Sequence, residues 1–176
     1  MITYLAGDAT QPILVAGQVS SRWILHVCNN QGGWGSGFVV ALSSQWPGPE
    51  REYRLWHKQG FLADAGKFEL GNIQLVSVKR DLHVVNMIAQ EGYGPGNRAK
   101  HRGDLTDSKP PIRYDALDQC LAKAAEVVGY GSVHMPRIGC GLAGGKWSEV
   151  EPLIQRHFSD RHVCVYDLPG QPYVEP

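Results

Sequence analysis

Short apolar runs alternate with longer stretches of helical spacing over most of the chain. Met1 to Leu5 alternates apolar and polar positions and ends at Gly7-Asp8, which predicts a short strand. Trp23 to Val27 is a continuous apolar run, as a strand buried on both faces requires. Phe38, Val39, Leu42 and Trp46 recur at helical spacing, and Pro47-Gly48-Pro49 stops that helix. Glu50 to Gln59 is a second helix with Tyr53 and Trp56 on one face. Asn72 to Val78 and His83 to Ile88 read as two strands of a hairpin turning at Lys79 to Leu82. Tyr114 to Val128 is the longest predicted helix, burying Leu117, Leu121, Ala124 and Val128. A strand over Ser132 to Ile138, a helix over Ser148 to Phe158 and a strand over Val163 to Leu168 complete the pattern.

Strands alternating with helices predict an α/β class with a mixed sheet covered on both faces. Ligands in such sheets sit outside the carboxyl ends of the strands. Residues 89 to 111 break the pattern: they are polar, rich in Gly, Pro, Lys and Arg, and have no apolar period. They read as a long loop, either a lid or a mobile insertion. The basic residues Arg98, Lys100, His101 and Arg102 either touch a nucleic acid or protein substrate or are simply solvated. Pro169 to Pro176 reads as a loose tail, and there is no internal repeat.

Composition narrows the function classes. The 176 residues fit one domain with one substantial core. Seventeen basic residues balance seventeen acidic ones, so no global field draws the chain to duplex nucleic acid or a membrane. That leaves recognition of a single nucleotide open. No apolar run approaches a membrane span and the N-terminus lacks a signal peptide's regions, so a cytoplasmic protein is expected. Cys28, Cys120, Cys140 and Cys164 form no CxxC pair, which predicts thiols in a reducing cytosol and no zinc signature. His26 and His134 fall on apolar strands, where they are expected to donate to backbone or solvent and not to hold a metal.

The candidate chemistry lies in two loops. After the first buried strand comes Cys28-Asn29-Asn30-Gln31-Gly32-Gly33-Trp34-Gly35-Ser36-Gly37, with a helix beginning near Phe38. After the strand at Ser132 comes Pro136-Arg137-Ile138-Gly139-Cys140-Gly141-Leu142-Ala143-Gly144-Gly145-Lys146, with a helix following at once. Strand, glycine loop and helix N-terminus hold phosphate, because glycine lets backbone N–H groups approach an anion and the helix dipole favours negative charge there. The adjacent amides of Asn29, Asn30 and Gln31 suit sugar hydroxyls without bringing charge. Two such loops can grip a diphosphate from both sides; the alternative is a pair of tight turns with solvated amides. Asp8 at the first strand's end can accept from the amine of adenine, or it is a turn or cap aspartate. Neither loop matches G-x-G-x-x-G or the phosphate loop ending in Gly-Lys-Ser/Thr, which disfavours ordinary dinucleotide and triphosphate sites.

The motifs Ile2 to Asp8, His26 to Phe38, Met135 to Leu142 with Trp147, and Val165-Tyr166-Asp167-Leu168 together resemble a macro domain over residues 1 to 168. The resemblance is to the branch holding the terminal ADP-ribose protein glycohydrolase, antitoxin macro domains and the yeast ADP-ribose-1″-phosphate phosphatase. A stand-alone bacterial macro protein of actinobacterial type that removes ADP-ribose from proteins is similar overall. The resemblance implies a three-layer α/β/α sandwich with a central mixed sheet and an ADP-ribose cleft at the strand ends. It implies that Asp8 accepts from the adenine amine and that Ala9 adds a backbone contact. Asn29 and Asn30 would face the distal ribose, and Gly33, Trp34, Gly35, Ser36, Gly37 and Phe38 the diphosphate. Pro136, Ile138, Gly139, Cys140, Gly141, Leu142, Ala143 and Gly144 would form the second diphosphate loop, and Tyr166 to Leu168 would flank adenine.

Where the glycohydrolase branch has an attacking lysine and an acid, this chain has Gln90 and Ala143. Glutamine forms no Schiff base and alanine transfers no proton. Lys146 either reaches inward or is a solvated residue at the helix start. The expected route is therefore a water oriented by Asn29, Asn30 or Gln90, with help from the substrate's own phosphate. The expected function is hydrolysis of ADP-ribosyl adducts on acidic or other O-linked side chains by a monomer that needs no cofactor. The alternatives are a non-catalytic ADP-ribose reader and an ADP-ribose 1″-phosphate phosphatase. The partners implied are ADP-ribose and ADP-ribosylated protein, with ADP-ribosylated nucleic acid also open.

Overall fold

The computed structural model describes residues 1–15, 21–93, 109–171 and 173–175. Arg98, Lys100, His101 and Arg102 lie outside the described residues. The elements run β1 (Ile2–Ala6), β2 (Arg22–Asn29), α1 (Phe38–Gln45), α2 (Gly48–Gln59), β3 (Phe61–Leu62), β4 (Gly66–Lys67), β5 (Ile73–Lys79), β6 (Leu82–Gln90), α3 (Tyr114–Val128), β7 (Ser132–Pro136), α4 (Trp147–Phe158) and β8 (Val163–Asp167). The main sheet is ordered β1-β8-β7-β2-β6-β5, parallel throughout except where β5 runs antiparallel to β6. It is a three-layer α/β/α sandwich around a mixed sheet.

Side-chain alternation along the central strands builds the two cores. Ile24 and Cys28 of β2 and Val84 of β6 pack with Trp34, Leu42 and Tyr53 under α1 and α2. Leu25, Val85, Met87 and Ala89 point the other way, into a larger core with α3 and α4. β2 thus has fully buried residues on both faces, which is why its middle is mainly apolar and does not alternate. Among the described residues no helix is long and apolar enough to cross a membrane.

The expected strands and helices are all present, with shifts of one or two residues at several ends. The short antiparallel pair β3–β4 was not expected; its Phe61-Leu62 and Gly66-Lys67 are too short to show a period. The loop expected to begin at residue 89 begins later. Ala89 is fully buried in β6, and Gln90 bridges Ile112 while the Glu91 N–H donates to the Pro111 carbonyl oxygen. The two ends of that segment are therefore clamped side by side.

The tail expected to be loose is docked. The Tyr173 hydroxyl accepts from the Trp147 N–H at 3.1 Å, and Glu175 accepts from the Ser148 N–H (2.9 Å) and hydroxyl (2.6 Å). A carboxylate on the free N–H groups of a helix start is favoured by the helix dipole, and α4 supplies no cap of its own. A polar tail can thus be ordered with little apolar burial, which composition does not reveal.

Candidate functional site

The cleft opens at the carboxyl ends of β2, β6, β7 and β8. Its first wall is the loop after β2. Asn29 is 8% exposed, and its side chain is knotted into its own loop. Oδ1 accepts from the N–H groups of Gln31 (2.9 Å) and Gly33 (3.0 Å), and Nδ2 donates to the Gly33 carbonyl oxygen at 2.7 Å. From below, the fully buried Tyr53 hydroxyl donates to the Asn29 carbonyl oxygen at 2.6 Å. Asn30 Oδ1 accepts from the Gly92 N–H at 3.0 Å, and Gln90 Nε2 donates to the Gly92 carbonyl oxygen at 2.8 Å. The amides of Asn29 and Asn30, expected to meet sugar and water, are bonded to backbone. The Trp34 indole N–H donates to Ser43 Oγ at 2.6 Å, fastening the loop to α1.

Gly37 then turns the chain into α1 with φ +76°, a region side chains enter at a cost. Gly37 brings no side chain to cap this helix, and its first turn has no acidic residue, so its positive end is turned to the cleft. The second wall is the loop after β7, closed by N–H donations from Gly144 to the Gly141 oxygen (2.9 Å) and from Gly145 to the Gly139 oxygen (2.8 Å). A Cβ on Gly145 would stand 2.5 Å from that Gly139 oxygen, so only glycine fits. The loops face each other: a Cβ on Gly37 would lie 3.4 Å from Leu142 Cδ1.

Two adjoining chambers lie between these walls, of about 500 Å³ and about 740 Å³. They share Val27, Ser36, Val39, Gln90 and Leu142. The first chamber brings together Gly37, Phe38, Pro136, Ile138, Gly139, Cys140, Gly141, Ala143, Tyr166 and Leu168. The second takes Asn29, Gly33, Trp34 and Gly35. Asp8, Ala9, Asn30 and Gly144 are not on either lining. Asp8 Oδ1 accepts from the Thr10 N–H at 2.8 Å, the turn role that its position also allowed. Lys146 is exposed where α4 begins.

Several lining residues escaped the sequence reading. Arg137 forks onto Asp167 (Nε–Oδ1 2.9 Å, Nη2–Oδ2 2.8 Å), and its guanidinium lies within 5.0 Å of the ring centres of Tyr4, Trp147 and Tyr173. Those partners are far apart in sequence, and the one available signal was its place between Pro136 and Ile138. Arg54 and Tyr93 line the second chamber and Tyr173 the first. An Arg four residues after Glu50 is an ordinary helix surface pair until the fold turns it toward a cavity.

The histidines correct another expectation, since they bond side chains instead of backbone or solvent. Asn86 Nδ2 donates to the Pro49 oxygen (3.1 Å) and Gln74 Oε1 (3.0 Å), so its Oδ1 faces His26 and accepts from Nε2–H at 2.6 Å. His134 lies between Ser132 Oγ (2.8 Å) and the Tyr166 hydroxyl (2.9 Å). Burial pushes both imidazoles down to about 4. Burial pushes the Cys140 thiol up to about 11 and the Cys28 thiol well above its usual value, so neither cleft cysteine is a nucleophile at neutral pH. All four cysteines are buried free thiols.

No family model matches the chain. A macrodomain protein from Streptomyces coelicolor is 41% identical, superposes with a TM-score of 0.75, and is matched over 95% of this chain and 99% of its own. The chain belongs to the macrodomain family. This macrodomain is also 30% identical over 165 residues to the Danio rerio chromodomain-helicase-DNA-binding protein 1-like. That match covers 92% of this chain but spans only 15% of that protein's length. The ADP-ribose 1″-phosphate phosphatase of Candida albicans is 24% identical over 171 residues, 94% of this macrodomain and 99% of the phosphatase.

Proposed function

We propose that the cleft binds ADP-ribose and that the protein hydrolyses ADP-ribosyl adducts, releasing mono-ADP-ribose from acidic or other O-linked side chains of proteins. The observation that carries this reading is the facing pair of glycine loops, Asn29–Gly37 and Pro136–Gly145, beside an uncapped helix start. Such a pair suits a diphosphate, with a sugar on each side of it. The chambers have the size of small-molecule sites, about 300–1,000 Å³. Membership of the macrodomain family and the likeness to a phosphatase named for ADP-ribose 1″-phosphate support the same ligand.

For turnover, Gln90 is the amide of choice. It borders both chambers, and the bond from Nε2 to Gly92 holds the group so that Oε1 remains to orient a water. An amide positions water without deprotonating it, so the proton passes to the substrate's diphosphate or to solvent. Positioning is worth several kcal/mol in favourable cases, roughly 7–11 at the limit, which suffices for an activated ester. Asn29 and Asn30 serve by shaping the loop. The protein acts as a cytoplasmic monomer on this view.

A second reading is a reader that binds ADP-ribosylated partners without turnover. It draws on one observation: among the described residues of the lining, the one carboxylate, Asp167, is held in the Arg137 fork. Incubation with glutamate-, serine- and arginine-linked ADP-ribosyl proteins and with ADP-ribose 1″-phosphate separates the two. Release from the glutamate-linked substrate is expected. Calorimetric binding of ADP-ribose with no release from any substrate would leave the reader.

A further inference from the structure

The second chamber has one fully charged group among its described lining residues, Arg54. The charge is held in place by a chain of side chains that begins on the same lining. Trp34 donates its indole N–H to Ser43 Oγ, and Ser43 donates to Glu50 Oε2 at 2.8 Å. The other carboxylate oxygen, Oε1, accepts from Arg54 Nε at 2.8 Å and Nη2 at 2.8 Å. Arg54 Nη1 donates to the Gly32 carbonyl oxygen at 3.2 Å, tying the guanidinium to the loop that walls the chamber. These contacts leave part of the donor fork for a ligand.

Glu50 is not on the lining, so the pair presents its positive end to the chamber and its negative end to α1. Burial alone would raise the Glu50 carboxyl, but the bonds from Ser43 and Arg54 hold it below the usual range, so it stays ionised behind the arginine. The Arg54 side chain is 52% exposed. A group that meets an adduct continuing outward into a protein has to be reachable in this way. Tyr93 narrows the same chamber: a Cβ on Gly33 would stand 3.0 Å from its ring.

We propose that Arg54 receives the acid oxyanion that leaves the distal ribose, making the enzyme selective for adducts of carboxylic or phosphoric acids. This rests on the ADP-ribosyl hydrolase reading, with the distal ribose in the second chamber. The water oxygen bonds to the anomeric carbon, and the carbon–oxygen bond to the adduct breaks with its electron pair going to the departing oxygen. The acid leaves as carboxylate or phosphate, and the surplus proton of the water passes to solvent. A guanidinium already held on the chamber lining stabilises the charge as it forms with little reorganisation. An alcohol leaving group still needs a proton, which Arg54 does not give up.

The test compares wild type, Arg54→Gln and Arg54→Lys on glutamate-linked and serine-linked ADP-ribosyl peptides and on ADP-ribose 1″-phosphate, with ADP-ribose affinity measured by calorimetry. Arg54→Gln is expected to lower kcat on the acid-linked substrates by about 10–100-fold while ADP-ribose Kd moves less than about twofold, and Arg54→Lys to restore part of the loss. The ratio of glutamate-linked to phosphate rates tells which acid the chamber accepts. Wild-type kcat from Arg54→Gln on both acid substrates, or an equal loss on the serine-linked peptide, overturns the role of Arg54 alone. No release by wild type from any substrate overturns the hydrolase reading, and the role of Arg54 falls with it.

Discussion

Asn29 decides whether the amide-rich loop is chemistry or architecture, and Asn29→Ala tests it. The substitution deletes three acceptances, from the Gln31 and Gly33 N–H groups and the Tyr53 hydroxyl, and one donation, to the Gly33 oxygen. Each such bond is worth about 0.5–1.5 kcal/mol net. Water can reach the half-buried Gln31 and Gly33 and recover part of this, whereas Tyr53 keeps its bond to the Asn29 carbonyl. The expected loss is about 2–3 kcal/mol, which for a chain of this size lowers Tm by roughly 5–9 °C. ADP-ribose affinity should fall as well, because Gly33 and Trp34 lose the brace that sets the wall. Urea unfolding with calorimetric titration measures both. Stability equal to wild type, with kcat alone reduced, would refute the bracing role and make Asn29 a catalytic residue.

Glycine changes should separate site from scaffold. Gly141 has open space where its Cβ would be, so Gly141→Glu should fold normally yet lower ADP-ribose affinity more than about tenfold by adding a carboxylate to an anion loop. Unchanged affinity would mean that the diphosphate lies elsewhere. Gly145→Ala should instead cost roughly 2 kcal/mol or more, because its Cβ collides with a backbone oxygen 2.5 Å away; a urea midpoint within error of wild type would contradict the close approach. Protonation should show in stability. His26 and His134 ionise near 4 when folded and near 6.5 when unfolded, so the unfolded chain binds more protons below pH 6.5. Stability is then full above pH 6.5 and falls toward pH 4, by about 2 kcal/mol per histidine between pH 7 and 5. A urea midpoint flat over that range would show that the histidines are not held neutral. Tyr53→Phe should cost about 1–2 kcal/mol and be less than additive with Asn29→Ala, since both act at one node.

The order of the longer elements was legible because each carries its own period, which the two-residue strands β3 and β4 do not. Tyr114 to Val128 repeats apolar residues every three to four positions, and β2 is apolar on both faces because helices cover both. The glycine loops were legible because strand, glycines and helix are contiguous in the chain. Their facing one another was one of two readings, and the parallel pairing of β2 with β7, which brings Gly37 against Leu142, decided it.

By itself, then, the sequence determined the α/β alternation, the two glycine loops between strand and helix, and the absence of a lysine or an acid at positions 90 and 143. Those properties depend on residue type and local period, which a chain carries before it folds. Only the tertiary structure decided that Asn29 braces its loop, that Arg54 looks into a chamber, that Arg137 and the tail wall the cleft, and that both histidines are neutral. Each of these depends on partners distant in sequence and on burial, and no local pattern encodes which distant groups will share a low-dielectric space.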